Sequence, residues 1–221
     1  LLLATNKERL LQHSLRVGSM ALILATLSFF TLDQPVSSWF QHPQQTWLWL
    51  LGREVTNIGL AEPWIVLTIT LLVVLRWVTP RIQRLQKHKE RLGHLRNWSL
   101  CFLISLAASG VVIHVLKILT GRQRPHKTEL ANHDVFSPIN FHWDFQSFPS
   151  GHSQTLMVVA TMASILWPQG RLLFFTLGVA LAFTRVMSTS HFISDVVIGC
   201  AIGYLGTLWC IYKLRNKFSL I

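Results

Sequence analysis

Apolar runs broken by short polar stretches set the pattern of this chain. Runs close to the roughly 20 residues needed to cross a hydrocarbon core occupy 17–32, 62–79, 98–119, 153–168, 171–188 and 192–212. The pattern predicts an all-α fold, a six-transmembrane-helix bundle. The two shortest runs, 17–32 and 153–168, also fit buried helices, but an even count returns both termini to one side. In the first outer loop, between Asp33 and Ala61, the stretch "VSSWFQHPQQTWLWLLG" mixes aromatic and polar residues. It predicts an interfacial amphipathic helix. The connection "PRIQRLQKHKERLGHLR" is basic and suits a helix on an anionic leaflet. Gly121 to Pro149, rich in Pro, polar and aromatic residues, predicts irregular structure. There is no internal repeat, and no polar stretch is long enough to fold alone, so residues 1–221 read as a single integral-membrane domain.

Composition agrees with this reading. Of the 221 residues, 51% are hydrophobic and 13% charged, with nine tryptophans, outside the balance of a soluble globular domain. The net charge of +11 raises nucleic acid as a partner, but the charges are sorted by loop and report topology instead. Lys7, Arg9 and Arg16 precede the first run, and Arg76, Arg81, Arg84, Lys87, Lys89, Arg91 and Arg96 surround the connection from second to third. Arg171 joins the fourth and fifth, and Lys213, Arg215 and Lys217 follow the last. The positive-inside rule puts these regions and both termini in the cytoplasm. The opposite face sets Arg53, Lys117, Arg122, Arg124, Lys127 and Arg185 against Asp33, Glu54, Glu62, Glu129, Asp134, Asp144 and Asp195, and is close to neutral. Tryptophans near both boundaries form interface belts. Cys101, Cys200 and Cys210 lie inside the runs and give no disulfide framework. The basic start "NKERLLQHSLR" reads as a signal-anchor.

Three polar clusters interrupt the apolar pattern. In "KILTGRQRP", Lys117 and Arg124 stand seven apart, about two helical turns, so both can point the same way. In "FPSGHS", Ser150 and Gly151 precede His152 where the fourth run begins. Backbone N–H groups of Ser150 to His152 and the positive end of a helix dipole are there for an anion. In "RVMSTSHFISD", His191 and Asp195 are four apart, a spacing at which a carboxylate fixes an imidazole tautomer and leaves the other nitrogen reactive. Arg185 ends the preceding run and reaches the same place. An ionisable residue inside a membrane segment is costly and marks function.

The topology, drawn without these clusters, brings all three to the outer face. Three cations around backbone donors suit a phosphate-like ligand. A carboxylate-backed imidazole is a nucleophile, and a second imidazole can protonate a leaving oxygen. Hydrolysis of a phosphomonoester or pyrophosphate through a phosphohistidine fits these groups.

In these residues the chain resembles the type 2 phosphatidic acid phosphatase superfamily, which also contains bacterial acid phosphatases, glucose-6-phosphatase and vanadium haloperoxidases. The family signature is K-x6-R-P, P-S-G-H and S-R-x5-H-x3-D. Here it reads Lys117-x6-Arg124-Pro125, Pro149-Ser150-Gly151-His152 and Thr184-Arg185-x5-His191-x3-Asp195, with Thr184 in place of the usual serine. The resemblance implies His191 as nucleophile, Asp195 as its orienter, and His152 as acid for the leaving group and base for the attacking water. It implies that Lys117, Arg124, Ser150, Gly151 and Arg185 hold the phosphoryl oxygens, without a metal or other cofactor. His114, His126, His133 and His142 are too scattered for a metal-ligand set. The implied substrate is a lipid phosphate or pyrophosphate at the periplasmic face of a bacterial inner membrane. Undecaprenyl pyrophosphate, phosphatidylglycerophosphate, phosphatidic acid and a lipid A phosphate all remain candidates. The alternatives are a lipid phosphotransferase using the same phosphohistidine and a non-catalytic lipid-phosphate binder or transporter.

Overall fold

The computed structural model describes residues 6–41, 47–78, 81–82, 87–127 and 135–218. Regular structure among them is helical, apart from one antiparallel bridge between Arg122 and Phe136. The α-helices are α1 (Lys7–Thr31), α2 (Asp33–Gln41), α3 (Trp47–Val55), α4 (Ala61–Val73), α5 (Lys89–Thr120), α6 (Gly151–Leu166), α7 (Arg171–Met187) and α8 (Ile193–Phe218).

Five helical segments are long and apolar enough to cross a membrane: Lys7–Thr31, Trp47–Trp77, Lys89–Thr120, Pro168–Met187 and Ile193–Phe218. The run at 153–168 forms α6, whose 16 residues span about 24 Å at 1.5 Å per residue, short of the roughly 30 Å hydrocarbon core. Helix α6 is the centre of the bundle, packed by α5, α7 and α8. Ten of its residues are buried. Two of its buried hydroxyls are satisfied within the helix, Thr161 Oγ1 donating to Met157 O at 2.6 Å and Ser164 Oγ to Ala160 O at 2.6 Å.

The aromatic stretch expected as one interfacial helix divides between α2 and α3, and residues 42–46 of it lie outside the described residues. Phe40 of α2 is buried with Leu156, Ala182, Val186 and Val196. Helix α3 lies on α7 so closely that a Cβ on Gly52 would sit 2.8 Å from Met187 Cβ. In the basic connection, residues 79–80 and 83–86 are outside the described residues, and its second half is the polar start of the 32-residue α5.

Small residues on α8 fix how the two ends of the bundle meet. A Cβ on Gly199 would lie 2.3 Å from Ser150 O, and one on Gly203 2.3 Å from Gln154 O. The backbones of α8 and α6 therefore touch, as small-xxx-small faces allow in membranes. Gln154 Nε2 then donates to Ser109 Oγ at 2.6 Å, tying α6 to α5. The start of α6 is thereby held against the start of α8. Gly203→Ala should lower stability by about 1–3 kcal/mol by overpacking, read as a fall in Tm of about 2–4 °C per kcal/mol in detergent. An unchanged Tm would mean that the contact between these backbones is not required.

Candidate active site

Helix α5 stops at Gly121, whose φ of 56° is the left-handed cap glycine adopts most readily. A Cβ there would overlap Ser137 O at 1.6 Å, so only glycine fits the turn. Arg124 therefore lies beyond the helix, and helical register does not align it with Lys117, contrary to the expectation from their spacing. They meet through a shared acceptor instead. Lys117 Nζ donates to Gln146 O, and Arg124 Nη2 donates to the same oxygen at 3.3 Å. Arg124 Nε donates to Trp143 O at 3.1 Å and Nη1 to Ser190 O at 3.2 Å. Its guanidinium stacks 3.9 Å from the centre of the Trp143 ring. Burial pushes Arg124 down to about 10, opposed by the carboxylates of Asp195 and Asp144, and it stays charged at neutral pH.

At the start of α6, Ser150 is the N-cap, its Oγ accepting from Ser153 N at 3.4 Å and Ser153 Oγ at 2.9 Å. The Ser150 amide, expected to serve an anion, donates to Asp195 O at 3.0 Å. The amides of Gly151 and His152 belong to the first turn, which has no intrahelical acceptors. His152 packs against Gly59, where a Cβ would lie 3.0 Å from His152 Cβ.

His191 lies before the helix, in the turn that joins α7 to α8, rather than one helical turn below Asp195. Thr189 in this turn has φ 50°, unfavourable for a β-branched residue and the kind of strain held at functional sites. His126 pins it, both N and Nδ1 lying 3.1 Å from Thr189 O. His191 N donates to Arg185 O at 3.2 Å. On the ring, Nε2 lies 3.4 Å from Arg124 Nη1. A guanidinium can only donate, so Nε2 is the acceptor and the proton is on Nδ1. Nδ1 faces Asp195 Oδ2 at 3.5 Å, a charge contact longer than the hydrogen bonds that hold this carboxylate. Burial pushes His191 well below its ordinary value; Asp195 opposes this, and Arg124, Lys117 and Arg185 reinforce it.

Asp195 is wholly buried and more heavily bonded than the sequence suggests. Oδ2 accepts from Ser147 Oγ at 2.6 Å and Phe192 N at 2.9 Å, and Oδ1 accepts from Arg122 Nη1 at 2.7 Å. Arg122 Nη1 also donates to Ser194 Oγ at 2.7 Å, and Nη2 to Asp33 Oδ2 at 2.9 Å. Asp33 in turn accepts from Ser194 N at 3.0 Å and from Ser194 Oγ. Burial pushes the Asp33 carboxyl up, against Arg122 and Ser194. Sequence reading counted Arg122 and Asp33 only as outer charges and overlooked Ser147 and Ser194. The available signal was the first arginine in "GRQRP", two residues before Arg124, and a lone aspartate directly after the first run.

Lys117, Arg124, Gly151, His152, Arg185 and His191 line one cavity of about 860 Å³. Ser150 and Asp195 sit behind its wall. Arg185 enters from α7 with Nη1 donating to Thr56 Oγ1 at 3.1 Å, while its buried Nε has no partner among the described residues. Below the charged end, the cavity runs between α4 and α5 past Ile65, Ile69, Leu103, Ala107 and Val111, with Glu62 and His114 nearer the top. Ile69 and Val111 are 47% and 62% exposed, so the cavity opens sideways through the outer surface of the bundle. From Lys117 to Leu103 the wall follows α5 for about 21 Å. Among the described residues, no group of three or more His, Cys, Asp or Glu is arranged to hold a metal ion.

The PAP2 superfamily model matches residues 98–219, which contain all three motif blocks. Lipid A 1-phosphatases of Rhizobium johnstonii and Rhizobium etli are each 30% identical over 154 residues, 69% of this chain. The chain spans 62% and 66% of the length of these relatives. Among solved structures, a transmembrane PAP2 type phosphatidylglycerolphosphate phosphatase from Bacillus subtilis superposes with a TM-score of 0.61 at 19% identity, over 92% of this chain and 96% of that one. Aquifex aeolicus LpxE gives 0.53 at 16% identity, over 81% and 94%. At these identities the likeness to the solved structures is one of fold.

The site geometry has a spectroscopic consequence. Burial and three cations disfavour the imidazolium, so His191 should gain its second proton only well below pH 6.5, where an unperturbed histidine is half charged. In protein labelled with ¹⁵N-histidine, His191 is expected to be neutral with its proton on Nδ1 at pH 6.5. An imidazolium signal at that pH would contradict the geometry.

Proposed function

Because the chain belongs to the PAP2 superfamily, we propose that it is a lipid phosphatase that hydrolyses a lipid phosphate or pyrophosphate through a phosphohistidine. The observation that carries this reading is the meeting of two unlike surfaces in one cavity. At one end are the three cations and two histidines; below them is an apolar groove open to the side. A lipid can leave its chains in the hydrocarbon and present only its phosphate to the charged end.

In this mechanism the phosphoryl oxygens bind Lys117, Arg124, Arg185 and the amides of Gly151 and His152, while Ser150, behind the wall, caps the helix that presents these amides. Nε2 of His191, unprotonated and beside Arg124, attacks phosphorus. The phosphorus–oxygen bond to the lipid breaks as His152 gives the leaving oxygen a proton. His152 then takes a proton from water, whose oxygen replaces Nε2 on phosphorus and frees inorganic phosphate. Asp195 keeps the proton of His191 on Nδ1. The three cations stabilise charge that grows in the transition state, the role that preorganised donors play in other sites.

The relatives named lipid A 1-phosphatases make a lipid A 1-phosphate our first candidate substrate, ahead of the other lipid phosphates. For topology we propose six spans, with the short α6 as the fourth. Both termini would then be cytoplasmic and the site periplasmic, in agreement with the sorting of basic loops.

A purified-protein assay on a panel of defined lipid phosphates, with chelator present, tests the chemistry. Activity should survive chelation, and vanadate should inhibit as a transition-state mimic, binding about a hundredfold or more tighter than phosphate. His191→Ala should abolish turnover, and Asp195→Asn should slow it by orders of magnitude, as in other carboxylate-backed histidines. Native-rate hydrolysis by His191→Ala would remove the nucleophile assignment. Accumulation of a phosphorylated acceptor would identify a phosphotransferase instead. For topology, a cysteine label at Ile139, 69% exposed, should react from the periplasm, and one at His88 only after permeabilisation. The reverse pattern would turn the site to the cytoplasm.

A further inference from the structure

Arg122 is a large cation buried to 1% exposure, yet it is not among the residues that line the catalytic cavity. It faces the other way, lining a groove of about 290 Å³ with Phe29, Phe136 and Phe148. A buried charge is costly unless fully hydrogen-bonded, and here its bonds run to two carboxylates of distant chain origin. Asp33 opens α2, 89 residues before Arg122, and Asp195 lies 73 residues after it.

We propose that Arg122, anchored by Asp33, is a positioning residue that acts through Asp195 on the histidine nucleophile. The proposal rests on the reading of His191 as nucleophile. The geometry supplies each link. Asp33 accepts from both Arg122 and Ser194, and Arg122 bonds Ser194 and Asp195, so Asp33, Arg122 and Ser194 form a closed ring at the start of α8. The bond from Arg122 to Oδ1 opposes those from Ser147 and Phe192 to Oδ2. With both oxygens held, the carboxylate cannot rotate about its own axis. That matters because Oδ2 is already 3.5 Å from Nδ1 of His191, and a further displacement of about 1 Å would break the orientation that attack requires. Arg122 also packs 3.9 Å from the centre of the Phe192 ring, on the residue that follows His191. One guanidinium thus braces the carboxylate and the neighbour of the nucleophile together. Lysine would keep the charge but not the planar fork that reaches Asp33, Ser194 and Asp195 at once.

The test is a double-mutant cycle on the full chain in detergent. Its probe is a soluble aryl phosphate with a good leaving group, which requires the phosphate site but no lipid. Arg122→Lys is expected to lower kcat by about 100-fold with KM changed by less than about threefold, the signature of an interaction felt mainly in the transition state. Asp33→Asn should give a smaller loss of the same kind. In an Asp195→Asn background, Arg122→Lys should cost less than about threefold, because residues acting through one another are not additive. A native kcat in folded Arg122→Lys, or an equal loss in both backgrounds, overturns the proposal, since a purely structural role would add independently of Asp195. If Arg122→Lys does not fold, the ¹⁵N spectrum of Asp33→Asn decides. Loss of the Nδ1-protonated form of His191 supports the positioning role, and an unchanged spectrum with native kcat overturns it. His191→Ala in the same assay separates the two readings: if it turns over at the native rate, the nucleophile assignment has failed, whatever Arg122 does.

Discussion

A carboxylate removed from water must be satisfied by the protein around it, and the three motif blocks meet at that requirement in Asp195. Arg122 from the first block bonds one of its oxygens, and Ser147, just before the second, bonds the other. Phe192 and His191 from the third block lie on the same oxygen, one bonded through its amide and one facing it through its ring. The backbone carbonyl of Asp195 accepts the Ser150 amide and so fixes the start of α6. Blocks that are far apart in the chain are thus joined at one residue. Gly199 and Gly203 permit this arrangement by letting α8 approach Ser150 and Gln154 without intervening side chains.

A second hub orients the cations. The carbonyl of Gln146 receives both Lys117 and Arg124, the carbonyls of Trp143 and Ser190 receive Arg124, and the hydroxyl of Thr56 receives Arg185. These acceptors carry no formal charge. They hold the side chains in place without cancelling the positive field in the cavity, while Arg122 holds the nearby Asp195 carboxylate behind the wall. The same field, together with burial, keeps His191 uncharged.

Much of this site was legible in the sequence, though partly for reasons the structure replaces. Lys117, Arg124, Gly151, His152, Arg185 and His191 share one cavity, as expected. But Lys117 and Arg124 converge through a loop carbonyl after a left-handed cap, and His191 lies in a turn outside the helix of Asp195. Helical spacing fitted both pairs without being the cause of either. Arg122 and Asp33 were not legible as a pair, because a contact across 89 residues leaves no periodic trace in a single sequence and each alone fits an ordinary boundary charge. The short run at 153–168 was legible as a helix. Its central place in the bundle follows from packing by α5, α7 and α8, which its hydropathy does not encode.

The position of α6 links the fold to the proposed chemistry. A full-length span can meet both interfaces, but a helix of about 24 Å is shorter than the hydrocarbon core and is wrapped by its neighbours. Its first turn carries Gly151 and His152, and the gap between α4 and α5 opens onto them from the side. The cavity serves two needs at once. It keeps Lys117, Arg124, Arg185 and His191 away from bulk water, where their fields would be weakened, and it sets them in one cavity with the apolar walls of Ile69 and Val111. A soluble phosphate would gain from the first feature alone. Only a ligand with an attached apolar chain gains from both, which supports the proposed lipid reading on physical grounds independent of any relative.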